Sequence, residues 1–106
     1  LQRGASTMTD VVCRHLIAYD VADDVRRNHV AKHLQSYGTR VQYSVFLVDL
    51  KPAKVQRLLD SLSRLIDYNE DSVLVCCLGP VSSLRLRDFH YLGRNRPVPD
   101  QGPMII

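Results

Sequence analysis

An aspartate at the end of an apolar run is the residue in this chain best placed for chemistry. Leu16 to Asp24 reads LIAYDVADD: strand-forming residues give way at Asp20 to a carboxylate, Asp23 and Asp24 follow, and a basic segment opens at Arg26-Arg27. A strand that ends in an acid holds that acid at the rim of a sheet, where a metal ion or a substrate can reach it. Mg²⁺ or Mn²⁺ suits such a position, because these ions take a few oxygen ligands, keep waters and are completed by substrate phosphate; the ion then activates water for attack on phosphorus. An acid at a strand end is also commonly a cap or turn residue, which is the competing reading of Asp20. For Asp23 and Asp24 that reading is preferred: Asp23 as a helix N-cap, Asp24 as a first-turn acid favoured by the helix dipole.

Other reactive residues offer less. His29 and His33 stand i, i+4 on one helix face, a spacing that can bind a transition metal, but no third ligand is evident and two surface histidines are the plainer reading. Cys13, Cys76 and Cys77 form neither an even disulfide set nor a C-x-x-C pair. Adjacent Cys76 and Cys77 point to opposite faces of a regular strand and cannot share an ion, so all three are read as reduced strand residues. No P-loop, G-x-G-x-x-G, G-x-S-x-G or H-E-x-x-H pattern occurs. Tyr43-Ser44-Val45-Phe46 does not supply the aromatic signature of an RNA-recognition module.

The 106 residues suffice for one compact domain, and with 45% hydrophobic and 24% charged residues the composition is that of an ordinary globular protein. Apolar runs are far shorter than the roughly 20 residues of a membrane span, and no basic-then-apolar secretion pattern opens the chain, so a cytoplasmic location is expected. Because the first Met is Met8, residues 1–9 are expected to be a flexible or added N-terminus outside the fold. The net charge of +3 is modest, but eleven of the fourteen basic residues are Arg, whose planar fork suits phosphate. A solvated basic surface explains that bias equally well.

Elements must hold Asp20 in place. Val11 to Tyr19 reads as a first strand, interrupted early by Arg14 and His15. A helix follows from about Asp24 to Ser36, with Val30, Ala31, Leu34 and Tyr37 on one stripe and Gly38 as its expected C-cap. Arg27 falls on that stripe, which calls for a partner there; Arg26, His29, Lys32 and His33 lie off it and default to the surface. Thr39 to Leu50 is too long for one strand and reads as two antiparallel strands, about Arg40 to Tyr43 and Val45 to Leu50, turning near Ser44. Pro52 opens a second helix to about Ile66, with Val55, Leu58, Leu59, Leu62, Leu65 and Ile66 on its apolar face. Asp67 to Asp71 is a polar connector. Ser72 to Leu78, SVLVCCL, reads as a buried strand stopped by Gly79-Pro80.

The order βαββαβ within residues 10–80 predicts an α+β, ferredoxin-like domain: a four-stranded antiparallel sheet with two helices on one face. Residues 81–106 form a less regular extension ending in apolar Met104-Ile105-Ile106, best buried as an added edge strand on its own or a partner's sheet. The helix-free face must be covered by a partner or left open for a ligand, so dimerisation through the sheet is expected, and across a two-fold axis one Asp20 becomes a pair.

The segment LIAYDVADDVRRNHVAKHLQSYGTRVQYSVFLVDL resembles the CRISPR-associated protein two family, the small subunit of CRISPR adaptation, described as a metal-dependent endonuclease. The YD at a strand end, the DD-x-R-R-N-x-V-A helix start, the YG at the helix end and RVQYSVF carry the likeness; YLGRNRPV from Tyr91 to Val98 extends it. The resemblance implies a homodimer whose C-terminal strand joins the partner's sheet, and association with the integrase, CRISPR-associated protein one, in capturing foreign DNA. It also implies that Asp20 is the metal-binding catalytic acid with Tyr19 beside it, holding Mg²⁺ or Mn²⁺, and that Arg26, Arg27, Arg40 and Phe46 engage DNA or RNA or support the site. His29 departs from the pattern, where Arg is frequent. Two roles stay open: an endonuclease hydrolysing phosphodiester bonds in RNA or DNA, or a structural scaffold that binds DNA without cutting it.

Overall fold

A computed structural model describes residues 10–84 and 90–94. Strand β1 (Cys13–Asp20) is followed by helix α1 (Asp24–Gln35), strands β2 (Gly38–Gln42) and β3 (Val45–Leu50), helix α2 (Pro52–Ser63) and strand β4 (Ser72–Pro80); Val81–Ser83 make one 3₁₀ turn. The strands form one antiparallel sheet in the order β2-β3-β1-β4, which is the ferredoxin-like arrangement. Among the described residues no helix is long and apolar enough to cross a membrane.

Strand alternation sorts residues onto two faces. Ile17 and Tyr19 of β1 and Phe46, Val48 and Leu50 of β3 meet Val30, Ala31 and Leu34 of α1 and Val55, Leu58 and Leu62 of α2 in one core. Arg14, Leu16, Ala18 and Asp20 alternate with that set and stand on the helix-free face, opposite Asp49, Leu47 and Val45 of β3 and Leu74 and Ser72 of β4. Part of this face is covered from within: Tyr91 donates from its hydroxyl to the Val41 carbonyl at 3.4 Å, and His90 and Tyr91 line a cleft with Leu16, Val45 and Leu47. The same face carries a bidentate ion pair, Arg14 Nε to Asp49 Oδ1 at 2.8 Å and Nη2 to Oδ2 at 2.9 Å, with Asp49 fully buried.

The hairpin turns at Tyr43-Ser44 as its length required, and the Ser44 carbonyl takes the Tyr19 amide at 3.1 Å. Several expectations need correcting. α1 is capped by Ser36, whose amide donates to the His33 carbonyl at 3.2 Å while the Tyr37 amide donates to that of Leu34 at 2.9 Å; Gly38 instead opens β2, where a Cβ would overlap the Leu47 carbonyl oxygen and come within 2.7 Å of Val48 Cγ1. Its small size serves a close approach of backbones, not a helix end. Helix α2 stops at Ser63, while Leu65 and Ile66 still pack on the core from the connector. β4 is not buried and does not stop at Gly79. It is an edge strand running through Pro80, with Val73 and Val75 packed on the core but Leu74 61% exposed on the helix-free face. A continuous apolar run marks a strand covered on both sides, and here one side is uncovered in a single chain. The expected C-terminal strand at Met104 to Ile106 lies outside the described residues.

Candidate functional site

The end of β1 and the loop after it are held by hydrogen bonds that can be traced one residue at a time. Asp23 caps α1, its Oδ2 accepting from the Arg26 amide at 2.9 Å. Arg27, on the apolar stripe, donates to the Val21 carbonyl from Nε (3.1 Å) and Nη2 (2.9 Å), and to Asp24 from Nη1 at 2.6 Å. Its partner is thus the loop itself, and the Asp24 bond raises the guanidinium above its ordinary value.

Arg26 does not sit free on the surface as its place off the stripe suggested. It clamps Asp71 with two bonds, Nε to Oδ2 at 2.8 Å and Nη2 to Oδ1 at 3.1 Å, and reaches Glu70 at 3.3 Å. Asp71 also accepts from the amides of Ala22 (2.9 Å) and Asp67 (2.8 Å). Arg26's donated bonds hold the Asp71 carboxyl well below the usual carboxylate range, burial opposes this, and the two amides add to it. Asp71 lies one residue before Ser72, which pairs with Asp20 across β1 and β4. One carboxylate therefore ties the loop after Asp20, the start of α1 and the start of β4 together. In the sequence Asp71 was only part of a polar connector. The available signal was an acid directly before a strand, with an arginine left off the stripe of a nearby helix.

Asp20 itself is exposed at the end of β1 on the helix-free face. Tyr19, next to it in sequence, is on the other face, 5% exposed, with its ring stacked on Phe46 at 6.3 Å between centroids and its hydroxyl donating to the Tyr43 carbonyl at 3.3 Å. Arg40 joins that second group: it donates to the Tyr19 hydroxyl at 3.4 Å and to the Tyr43 carbonyl at 3.1 Å, and its guanidinium lies over the Tyr43 and Phe46 rings. The six residues expected at the site thus fall into three places: Asp20 on the helix-free rim, Arg26 and Arg27 bracing the loop, and Tyr19, Arg40 and Phe46 together at the hairpin on the helix side.

Among the described residues no group of three His, Cys, Asp or Glu is placed to hold a metal. His33 Nε2 is engaged with Ser61 Oγ at 2.7 Å, which joins the two helices. The three cysteines are unpaired thiols; burial pushes the Cys13 thiol above its ordinary value, and Cys77 beside it adds to that.

A family model described as CRISPR associated protein Cas2 matches residues 13–82, from the start of β1 into the 3₁₀ turn. The chain belongs to the Cas2 family. It is 41% identical over 70 residues to the CRISPR-associated endoribonuclease Cas2 3 of Chloroflexus aurantiacus, a match spanning 66% of this chain and 75% of that protein. Matches to two Cas2 proteins of Rhodospirillum rubrum span 50% and 89% of their lengths. Among solved structures, Streptococcus pyogenes Cas2 at pH 6.5 superposes with a TM-score of 0.66 at 34% identity, over 76% of this chain and 99% of that one. A chain of a partial Cas6-RT-Cas1–Cas2 complex superposes with a TM-score of 0.64 at 28% identity, over 89% of this chain and 97% of that one. The Cas2 match covers Asp20, the loop bracing it and the hairpin group alike.

Proposed function

We propose that this Cas2 family member acts in CRISPR adaptation as a nucleic-acid-holding homodimer that works with the integrase, Cas1, in spacer acquisition. Family membership and the likeness to a chain of a Cas1–Cas2 assembly support the setting. The observation that carries the dimer is the helix-free face of the edge strand, where Leu74 stands 61% exposed on the same face as Asp20. Apolar area at an edge strand is buried by a second sheet, and a two-fold contact there supplies a second Asp20. Co-purification with the integrase tests the assembly; a protein that stays monomeric and does not bind the integrase contradicts it.

The names of the relatives, endoribonuclease and endonuclease, favour a second reading, an endonuclease cutting RNA or DNA, for which Asp20 is the residue that would hold a metal ion. Among the described residues the Asp20 rim offers a single exposed carboxylate, which fits Mg²⁺ or Mn²⁺ only as one of a pair completed by waters and phosphate. In that reading the Asp20 carboxylates of two copies hold the ion, and the ion, when bound, polarises phosphate and lowers the pKa of water. The chain's own part is to hold Asp20 on the rim through the Arg26–Asp71 brace, while Tyr19 acts through the hairpin rather than beside the acid. Cleavage of labelled RNA and DNA in Mg²⁺ tests it. Equal cutting by wild type and Asp20→Ala would show that the activity does not belong to this site.

A further inference from the structure

Cys13 and Cys77 sit on the same face of neighbouring strands. Cys13 pairs with Leu50 of β3 and His15 with Val48, which puts both on the helix side of β1, and Cys77 pairs with His15 from β4. The ladder slips at this point: Arg14 pairs with Gly79 and His15 with Cys77, so Leu78 is left without a register partner on β1, and Gly79 takes a φ of 110°. A bulge of this kind adds twist to the strand that carries it. Here the Cys13 and Cys77 thiols meet in a side-chain hydrogen bond, although their residues are not register partners.

The two thiols differ in access. Cys13 is 8% exposed, whereas Cys77 is exposed on the edge strand. Burial, and Cys77 beside it, raise the Cys13 thiol above its ordinary value, so Cys13 keeps its proton while Cys77 meets reagents from solvent. Cys76 substitutes for neither, because it pairs with Leu16 and stands on the helix-free face. Among the described residues no third His, Cys, Asp or Glu joins the pair around a metal, which leaves it the chemistry of a dithiol. An accessible cysteine with a second thiol in contact is the arrangement of a reversible oxidation site.

We propose that Cys13 and Cys77 form a reversible disulfide, made by exchange with a low-molecular-weight disulfide such as oxidised glutathione, that locks the edge strand β4 to β1. The Cys77 thiol gives up its proton, and its sulfur attacks one sulfur of the reagent; a mixed disulfide forms and the first reagent thiol leaves with that proton. The Cys13 sulfur then attacks the Cys77 sulfur, the mixed S–S bond breaks, and the Cys13 proton leaves with the second reagent thiol. Two protein thiols are oxidised and one reagent disulfide is reduced. The bond lies where β4 has only β1 as a neighbour, just before the chain leaves through Val81, whose amide donates to the Val12 carbonyl at 3.0 Å. The lock therefore secures the root of the C-terminal extension to a central strand of the sheet. Because it joins positions far apart in the chain, it also restricts the unfolded state strongly.

The test is to incubate the full chain with oxidised glutathione and compare it with dithiothreitol-reduced protein, by peptide mass spectrometry without reduction and by thermal melting. Cys76→Ser, which removes the neighbouring thiol from the same peptide, is expected to give a Cys13–Cys77 linked peptide within one chain and a protein lighter by two hydrogens. Its Tm is expected to rise by on the order of 10 °C, a gain that dithiothreitol abolishes. Cys77→Ser changes an exposed side chain, so the protein still folds, and it is expected to lose both the link and the gain. A Cys76→Ser protein that stops at a glutathione adduct on Cys77, stays unmodified or links two chains overturns the proposal. So does a Tm gain that persists in Cys77→Ser.

Discussion

Arg26 and Asp71 close a two-bond ion pair, 2.8 and 3.1 Å, between the first turn of α1 and the residue before β4. The pair fixes both strands' ends around Asp20, since Asp71 also takes the Ala22 amide and its neighbour Ser72 pairs with Asp20.

Acid titration exposes this pair. The Asp71 carboxyl titrates below its ordinary range in the folded protein, so its contribution to stability is complete above about pH 4 and is lost as pH falls towards the folded value. Asp71→Asn is expected to lower the melting temperature at neutral pH. The difference from wild type is expected to shrink below about pH 4, as followed by circular dichroism; a difference constant with pH would contradict it.

The buried Arg14–Asp49 pair makes a second prediction. Removing one partner leaves the other charge buried, so Asp49→Ala is expected to cost about 3–5 kcal/mol of unfolding free energy in urea titration. A cost below about 1 kcal/mol, the range of an exposed pair, would show that the charge finds water.

Gly38→Ala places a Cβ against the Leu47 carbonyl and Val48. Overpacking of this kind costs about 1–3 kcal/mol. Urea titration is expected to show that loss, and a neutral result would mean that β2 can move away from β3.

The edge strand makes the dimer testable. Leu74→Glu puts a charge on the helix-free face of β4 and is expected to shift sedimentation from dimer to monomer, while Asp20→Ala, at the rim, is expected to leave the dimer intact. A dimer unchanged by Leu74→Glu would place the contact elsewhere.

Much of the fold was legible because periodicity reports burial. Val55, Leu58 and Leu62 announce α2, and the length of Thr39 to Leu50 demands the turn that occurs at Tyr43-Ser44. β4 misleads for the same reason: SVLVCCL is apolar enough for two covered faces, and the sequence does not show that Leu74 on one of them is exposed. Gly38 follows the end of α1 by so little that a helix cap and the first residue of a strand look alike. At the site, the alternation that separates Cys76 from Cys77 also separates Tyr19 from Asp20, so their division between faces was readable. Asp71 was not, since its partner Arg26 lies 45 residues away.

Integration of a labelled DNA duplex into a CRISPR array by the integrase, with and without this protein, tests the account most directly. The account predicts that integration requires the protein and that Asp20→Ala still supports it. Integration that proceeds equally well in the protein's absence would contradict the adaptation role, and loss of integration with Asp20→Ala in an intact complex would contradict the scaffold reading in favour of a metal site.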